Sequence, residues 1–255
     1  MESTTQAIHE RNRVALVTGA SRGLGHALTA ELVRRGWHVV IDARDARRLA
    51  DAAWRLTSIG STTGAVTGAS TGTVTAVSGD IADPAHRRAL ADAVRAAGGL
   101  DLLANNASEL GPSPQPALAD YPLDALERVY AVNTFAPLAL LQLLLPQLES
   151  RGGRVLNVSS DAAVEAYEGW GGYGSAKAAL DQLTAVVAVE HPRLRVYAID
   201  PGDMATAMAE QAFPGEDISD RPAPQTVVPS LLRLIEGDVP SGRYRGADLA
   251  ARVPA

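Results

Sequence analysis

Short apolar runs alternate with longer amphipathic ones along this chain. VALVT (14–18), WHVVIDA (37–43), VTAVSGD (74–80), LDLLANNA (100–107), RVLNVSS (154–160) and LRVYAID (194–200) are brief and bounded by turn residues, the pattern of buried strands. The runs between them have helical spacing. Leu24, Ala27, Leu28 and Leu32 recur on one helix face, and Gly36 ends that helix. A polar helix is predicted from about 45 to 58. Another starts at Pro84 with Asp83 as its N-cap. A long helix is predicted over about 123–149, and a further one over 172–190. GSTTGAVTGASTGT (60–73) is too polar and too rich in glycine to build a core, and reads as a flexible excursion. Residues 1–12 read as a disordered tail. Strand–helix alternation predicts a doubly wound α/β fold over 13–255. Its parallel sheet would have about seven strands, with helices on both faces.

Composition narrows the function classes. The 255 residues suffice for one sizeable core. A net charge of −6 with no long run of one sign argues against a nucleic-acid surface. Cysteine is absent, which excludes disulfides and thiolate metal sites and fits a reducing, cytoplasmic setting. No metal-ligand spacing occurs. The polar start MESTTQAIHERNR has no apolar segment of a secretory signal. No apolar run reaches the roughly 18–20 uninterrupted residues of a membrane span. The richest, PLALLQLLLPQL (137–148), is short, holds two prolines and reads as a buried helix.

In such a sheet, ligands bind beyond the carboxyl ends of the strands. TGASRGLG (18–25) follows the first strand and Arg44 the second. Asp80 and Ile81 follow the third, NNAS (105–108) the fourth, Ser159 and Ser160 the fifth, and PGDMAT (201–206) the sixth. A glycine-rich turn opening a helix offers free N–H groups to a phosphate. Tyr173 and Lys177 stand one helical turn apart. A phenol has an ordinary pKa of about 10, and a nearby ammonium favours its ionised form. Such a pair suits proton exchange with a substrate oxygen. Ser160 can hydrogen-bond that oxygen as its charge changes. Taken alone, the Tyr–Lys pair fits a surface helix equally well.

Together these motifs resemble the short-chain dehydrogenase/reductase family. Thr18 followed by glycines at 19, 23 and 25, GDIAD (79–83), NNAS, Asn133, Ser160, YGSAK (173–177) and PGDMAT stand in family order over about 13–206. Ser160 and Tyr173 lie thirteen positions apart, the family's usual separation. The resemblance implies a Rossmann fold and hydride exchange between a nicotinamide and a carbonyl or alcohol. Asn133, Ser160, Tyr173 and Lys177 would be its catalytic residues. It implies that the Asn133 carbonyl holds a water reaching Lys177. Pro137, four residues on, has no N–H to give that carbonyl, so the helix should kink there. Gly19, Ser21, Arg22, Gly23, Leu24, Gly25, Arg44, Asp80, Ile81, Asn105, Ala107, Pro201, Gly202 and Thr206 would bind the cofactor together with Tyr173 and Lys177. Thr206 would meet the carboxamide, and Asn105 and Ala107 the adenosine ribose. Ser108 replaces the family's usual glycine, away from the chemistry but beside the substrate wall.

Arg22 and Arg44 favour NADP(H) over NAD(H), since two guanidinium groups can clamp a 2′-phosphate. If the alignment slips by one position, Asp42 becomes the ribose carboxylate of an NAD site. The substrate walls are loops 109–122, 161–172 and 203–222, the last a lid with a short helix. Tyr167, Trp170, Met204, Met208 and Phe213 would line an apolar pocket for a mostly apolar ketone, aldehyde or alcohol. Glu165 and Glu168 would oppose an anion if they faced inward. The apolar helices 138–148 and 176–189 suit a homodimer or homotetramer. A cofactor-binding regulator without turnover and a redox-neutral enzyme of the same fold stay open as alternatives.

Overall fold

A computed structural model describes residues 12–67 and 72–250. Seven strands form one parallel sheet in the order β3-β2-β1-β4-β5-β6-β7. They are β1 (Val14–Val17), β2 (His38–Ala43), β3 (Thr73–Ser78), β4 (Leu102–Asn105), β5 (Arg154–Val158), β6 (Arg195–Asp200) and β7 (Gly242–Arg245). All pairings are parallel, with Val17 beside Ile41 on one side and beside Ala104 on the other. The predicted α/β doubly wound sheet is therefore what the chain adopts, including the total of about seven strands.

Alternating side chains of β1 supply both cores. Ala15 and Val17 face α1 (Gly23–Arg34), α2 (Ala46–Thr67) and α8 (Val228–Glu236). Val14 and Leu16 face α3 (Pro84–Ala96), α5 (Ala136–Arg151) and α6 (Gly171–Glu190). The start of α3 matches the expectation, with the Asp83 carboxylate accepting from Ala85 N. On α5, Leu140, Leu144 and Leu148 are fully buried. Each such leucine contributes roughly 1.5–3 kcal/mol, which outweighs the ~3 kcal/mol that Pro146 costs inside the same helix. The run Leu123–Arg151 is apolar enough to cross a membrane by length and hydropathy, yet half of its richest window is buried inside this fold.

Three expectations change. The stretch expected to be flexible from residue 60 is helical as far as Thr67, because α2 continues through it. Once a helix exists, each added residue gains a hydrogen bond, and poor formers are carried along. Residues 68–71 and 1–11 lie outside the described residues. The single helix expected over 123–149 is divided into α4 (Leu123–Tyr130), a π-helical turn (Ala131–Phe135) and α5. Asn133 sits in the centre of that turn and Pro137 in the first turn of α5, where the missing N–H was expected to disturb the helix. Finally, β7 escaped specific assignment. It is a four-residue edge strand carrying Arg243 and Arg245, so it lacks the apolar signature of its neighbours.

The remaining α-helices among the described residues are α7 (Ala207–Ala212), within the expected lid, and α9 (Gly246–Ala250). Strand order reverses between β1 and β4, so a crevice opens at their carboxyl ends.

Candidate active site

A cleft of about 600 Å³ occupies that crevice. Its floor begins with the turn after β1. Gly19 has φ +67°, and a Cβ placed there would lie 2.8 Å from the Cα of Ala107. The two loops therefore touch backbone to backbone. Thr18 Oγ1 accepts from the N–H groups of Asn106 and Ala107, each at 3.0 Å, and locks them together. The N-cap position of α1, Arg22, makes no side-chain cap, which leaves the first-turn N–H groups to a ligand.

Most nominated residues line this cleft: Gly19, Ser21, Arg22, Gly23, Leu24, Arg44, Asp80, Ile81, Ala107, Ser160, Tyr173, Lys177, Pro201, Gly202 and Thr206. Gly25, Asn105 and Asn133 do not. A Cβ on Gly25 would lie 2.4 Å from Asn106 Nδ2, so its role is close packing of α1 on the loop. Asn105 ends β4 with its side chain on the opposite face. There its Nδ2 donates to Asn157 Oδ1 at 2.7 Å. The next residue, Asn106, lines the cleft instead and donates to the Thr18 and Gly19 carbonyls. Strand alternation turned the expected ribose neighbour away.

The side chain of Asn133 is buried and holds the loop after β4. Its Oδ1 accepts from Glu109 N at 2.9 Å and from Ser108 Oγ at 3.1 Å, while Nδ2 donates to Glu109 O at 2.8 Å. The Ser108 hydroxyl also lines the cleft close enough to Tyr173 to pull its phenol down. Ser108 therefore touches the centre from which it was expected to stand apart.

Tyr173 and Lys177 are both buried on α6, and Lys177 Nζ lies 5.5 Å from the centre of the tyrosine ring. That ammonium donates to Val158 O at 2.7 Å. Burial pushes the Lys177 amine down to about 8, against the pull of Asp181. Burial likewise pushes the Tyr173 phenol up to about 12, helped by Asp161 and Asp200 and opposed by Ser108. The lowering expected from Lys177 does not act on the phenol in the chain by itself, where the shift is upward. Ser160 Oγ donates to Asp161 Oδ1 at 2.8 Å and accepts from Ala162 N at 3.2 Å. Arg243 of β7 reaches across to Ser160 O at 2.9 Å and to Asp181 Oδ2 at 2.8 Å. It joins the serine to the carboxylate that faces Lys177. Neither Asp161 nor Arg243 carries a sequence signal, because side-chain contacts across the sheet decide both.

At the other end, Asp42 is buried with both oxygens engaged. Oδ1 accepts from Gly19 N at 2.7 Å, and Oδ2 meets His86 Nε2 at 3.0 Å. Arg44 pairs with Glu109 at 3.0 Å across the cleft mouth. Burial works to raise the Asp80 carboxyl, but the Ala82 N–H and Arg128 outweigh it and hold the group below its ordinary value. Trp170, Met204, Met208 and Phe213, the expected substrate wall, line the cleft. Tyr167 does not: its hydroxyl donates to Asp161 and Glu165, and the residue is exposed. Thr206 caps α7, accepting from Ala209 N at 3.3 Å.

The short chain dehydrogenase family model matches residues 13–217. The chain belongs to this family. Among similar proteins is a rhamnolipids biosynthesis 3-oxoacyl-[acyl-carrier-protein] reductase of Pseudomonas aeruginosa. It is 36% identical over 249 residues, covering 94% of this chain and 86% of that protein. A benzil reductase ((S)-benzoin forming) of Saccharomyces cerevisiae is 32% identical over 227 residues, covering 86% and 80%. A putative short chain dehydrogenase from Escherichia coli CFT073, solved as a complex with NADPH, superposes with a TM-score of 0.78 at 27% identity. That match covers 92% of this chain and 97% of the other. This short-chain dehydrogenase is an oxidoreductase by family, and its sheet is the Rossmann sheet of its relatives.

Proposed function

We propose that this chain interconverts a carbonyl and an alcohol with NADP(H), using Tyr173 as the acid and base. The observation that carries the reading is the meeting of Ser160, Tyr173 and Lys177 in the cleft that also receives the glycine turn. The residues present fit the cofactor: a backbone-lined turn stands at an uncapped helix start. NADPH, when bound, supplies the hydride.

The chain's own side chains handle the oxygen. Tyr173 gives its proton to the carbonyl oxygen in reduction and takes it back in oxidation. Ser160 turns its hydroxyl from Asp161 to the substrate oxygen and shares the developing charge. Lys177 keeps a positive charge beside the phenol, and the Asn133 carbonyl holds a water on the path from that amine to solvent. Ser108 can turn its hydroxyl from Asn133 Oδ1 to the phenolate and stabilise it. Acid–base help of this kind is worth roughly 10²–10⁴-fold.

Cofactor choice follows from Asp42. An NAD site would present a carboxylate to the ribose hydroxyls, but both Asp42 oxygens are engaged internally. Arg22 and Arg44 both line the cleft. The exposed Arg44–Glu109 pair is worth about 0–1 kcal/mol, so Arg44 can exchange it for a phosphate. The NADPH complex of the E. coli relative supports the same choice. Phe135, Leu143, Val186 and Val189 are exposed apolar residues on the π turn, α5 and α6. They support a homodimer or homotetramer built on these helices, which light scattering on the purified protein can test.

The reductase reading is tested by NADPH and NADH consumption against ketones and aldehydes. Tyr173→Phe should lose about 10²–10⁴-fold in kcat and keep its NADPH affinity; full activity in the variant would end the acid role. Reduction needs Tyr173 protonated and Lys177 charged. With the phenol near 12 and the amine near 8, the rate should hold below pH 8 and fall as pH rises through about 8. A profile flat to pH 10 would contradict this assignment for Lys177.

A further inference from the structure

Away from the oxygen-handling corner, the substrate side of the cleft contains a cation set in an aromatic wall. Arg221 lies near the end of the lid segment 203–222, and its side chain is only 15% exposed. Its guanidinium carbon sits 4.0 Å from the centre of the Phe213 ring. Phe213 stands 5.6 Å from Trp170, and Trp170 meets Tyr173 edge-on at 5.9 Å. All four side chains line the cleft. A file of aromatic rings therefore runs from the Tyr173 phenol to a guanidinium group.

That charge is poorly answered within the chain. Nη1 of Arg221 is buried with no hydrogen-bond partner among the described residues. Among the described residues its ion pair is Nη2 to Glu216 Oε2 at 3.8 Å, and the glutamate is 63% exposed. A loose pair with a solvated carboxylate does not offset the burial of a guanidinium. A planar fork with an open N–H suits an oxyanion, which can take two parallel hydrogen bonds. The apolar pocket expected from the sequence therefore has a positive end.

We propose that Arg221 recognises an oxyanion, a carboxylate or a phosphate, carried by the substrate at a distance from its reacting carbonyl. The apolar body between the two groups lies along Trp170 and Phe213. This deepens the reductase reading and rests on it.

The test uses the NADPH-loaded protein and three aryl ketones of one shape: 4-acetylbenzoate, 4-acetylphenyl phosphate and methyl 4-acetylbenzoate. Wild type should prefer at least one anion over the ester, and the better of the two identifies the oxyanion. Arg221→Met should raise KM for that anion roughly 10- to 100-fold, the range of a lost charged hydrogen bond. KM for the ester and for NADPH should stay within about twofold, which also shows that the variant folds, and Arg221→Lys should recover part of the loss. Equal losses for anion and ester, or a loss confined to NADPH, overturn the proposal and leave the reductase intact; the NADPH-only loss would place Arg221 on the cofactor.

Calorimetric titration of terephthalate into the NADP-loaded protein separates the two readings. If no ketone turns over but terephthalate binding weakens in Arg221→Met, the anion site stands and the reductase reading falls. If no ketone turns over and terephthalate binding is absent or insensitive to the variant, both fall.

Discussion

The cleft has two sides built on different plans. The cofactor side is made of backbone: the turn after β1 touches the loop after β4, with Thr18 and Asn106 tying them together. The proposed substrate side is made of side chains on loops, with Trp170, Phe213 and Arg221 in contact in sequence. A backbone-built site tolerates almost no added atoms. A side-chain-built site can change its contents and leave the sheet in place. One side can therefore be shared across a family while the other sets what each member accepts.

Substitutions on each side should break this contrast or sharpen it. Gly25→Val should have the largest effect. Its first added atom would lie 2.4 Å from Asn106 Nδ2 and 2.8 Å from Gly19 O, and overpacking plus lost hydrogen bonds should cost about 3 kcal/mol or more. Urea unfolding measures that loss, and NADPH titration should show binding falling with it. Next comes Arg44→Glu, which reverses a charge where the 2′-phosphate is expected. NADPH affinity should drop roughly 10- to 100-fold with NADH affinity little changed; an equal drop for both cofactors would remove Arg44 from phosphate recognition.

Asn133→Leu acts at the join between the two sides. It leaves the N–H and carbonyl of Glu109 without their partner, at about 1–3 kcal/mol. The variant should still fold but turn over slowly. Wild-type turnover would remove the loop-holding role of the side chain from the catalytic cycle; the main-chain carbonyl proposed to hold the water is unchanged in this variant. Smallest is Trp170→Ala. KM for an aryl ketone should rise a few-fold, with NADPH affinity unchanged, because the ring is only half-buried on a loop. A large loss of stability there would show that the substrate wall is part of the frame.

The same contrast explains what could be read from the sequence. The strands through β6, the glycine turn and the spacing of Ser160 and Tyr173 are local patterns, and local chemistry dictates them. Asp83 as a cap and Pro137 as a disturbance are legible for the same reason. The contacts of Asn105, Ser108, Asp161, Arg221 and Arg243 are tertiary. Asn105 differs from Asn106 only by the side of a strand on which it falls. Arg221 becomes a candidate only once Phe213 lies beneath it and its N–H is seen to lack a partner. Helix α2 outran its prediction because propensity is weak once a helix is already growing.

The inward position of Asp42 sets a rule for redesign. This carboxylate supports the Gly19 turn and meets His86, so moving it outward to hold a ribose would undo the turn proposed to hold the phosphates. A redesign toward NADH should therefore leave Asp42 alone and introduce an acid at Ala43, the half-buried residue that already lines the cleft. Cofactor exchange in this scaffold becomes an addition beside a fixed support.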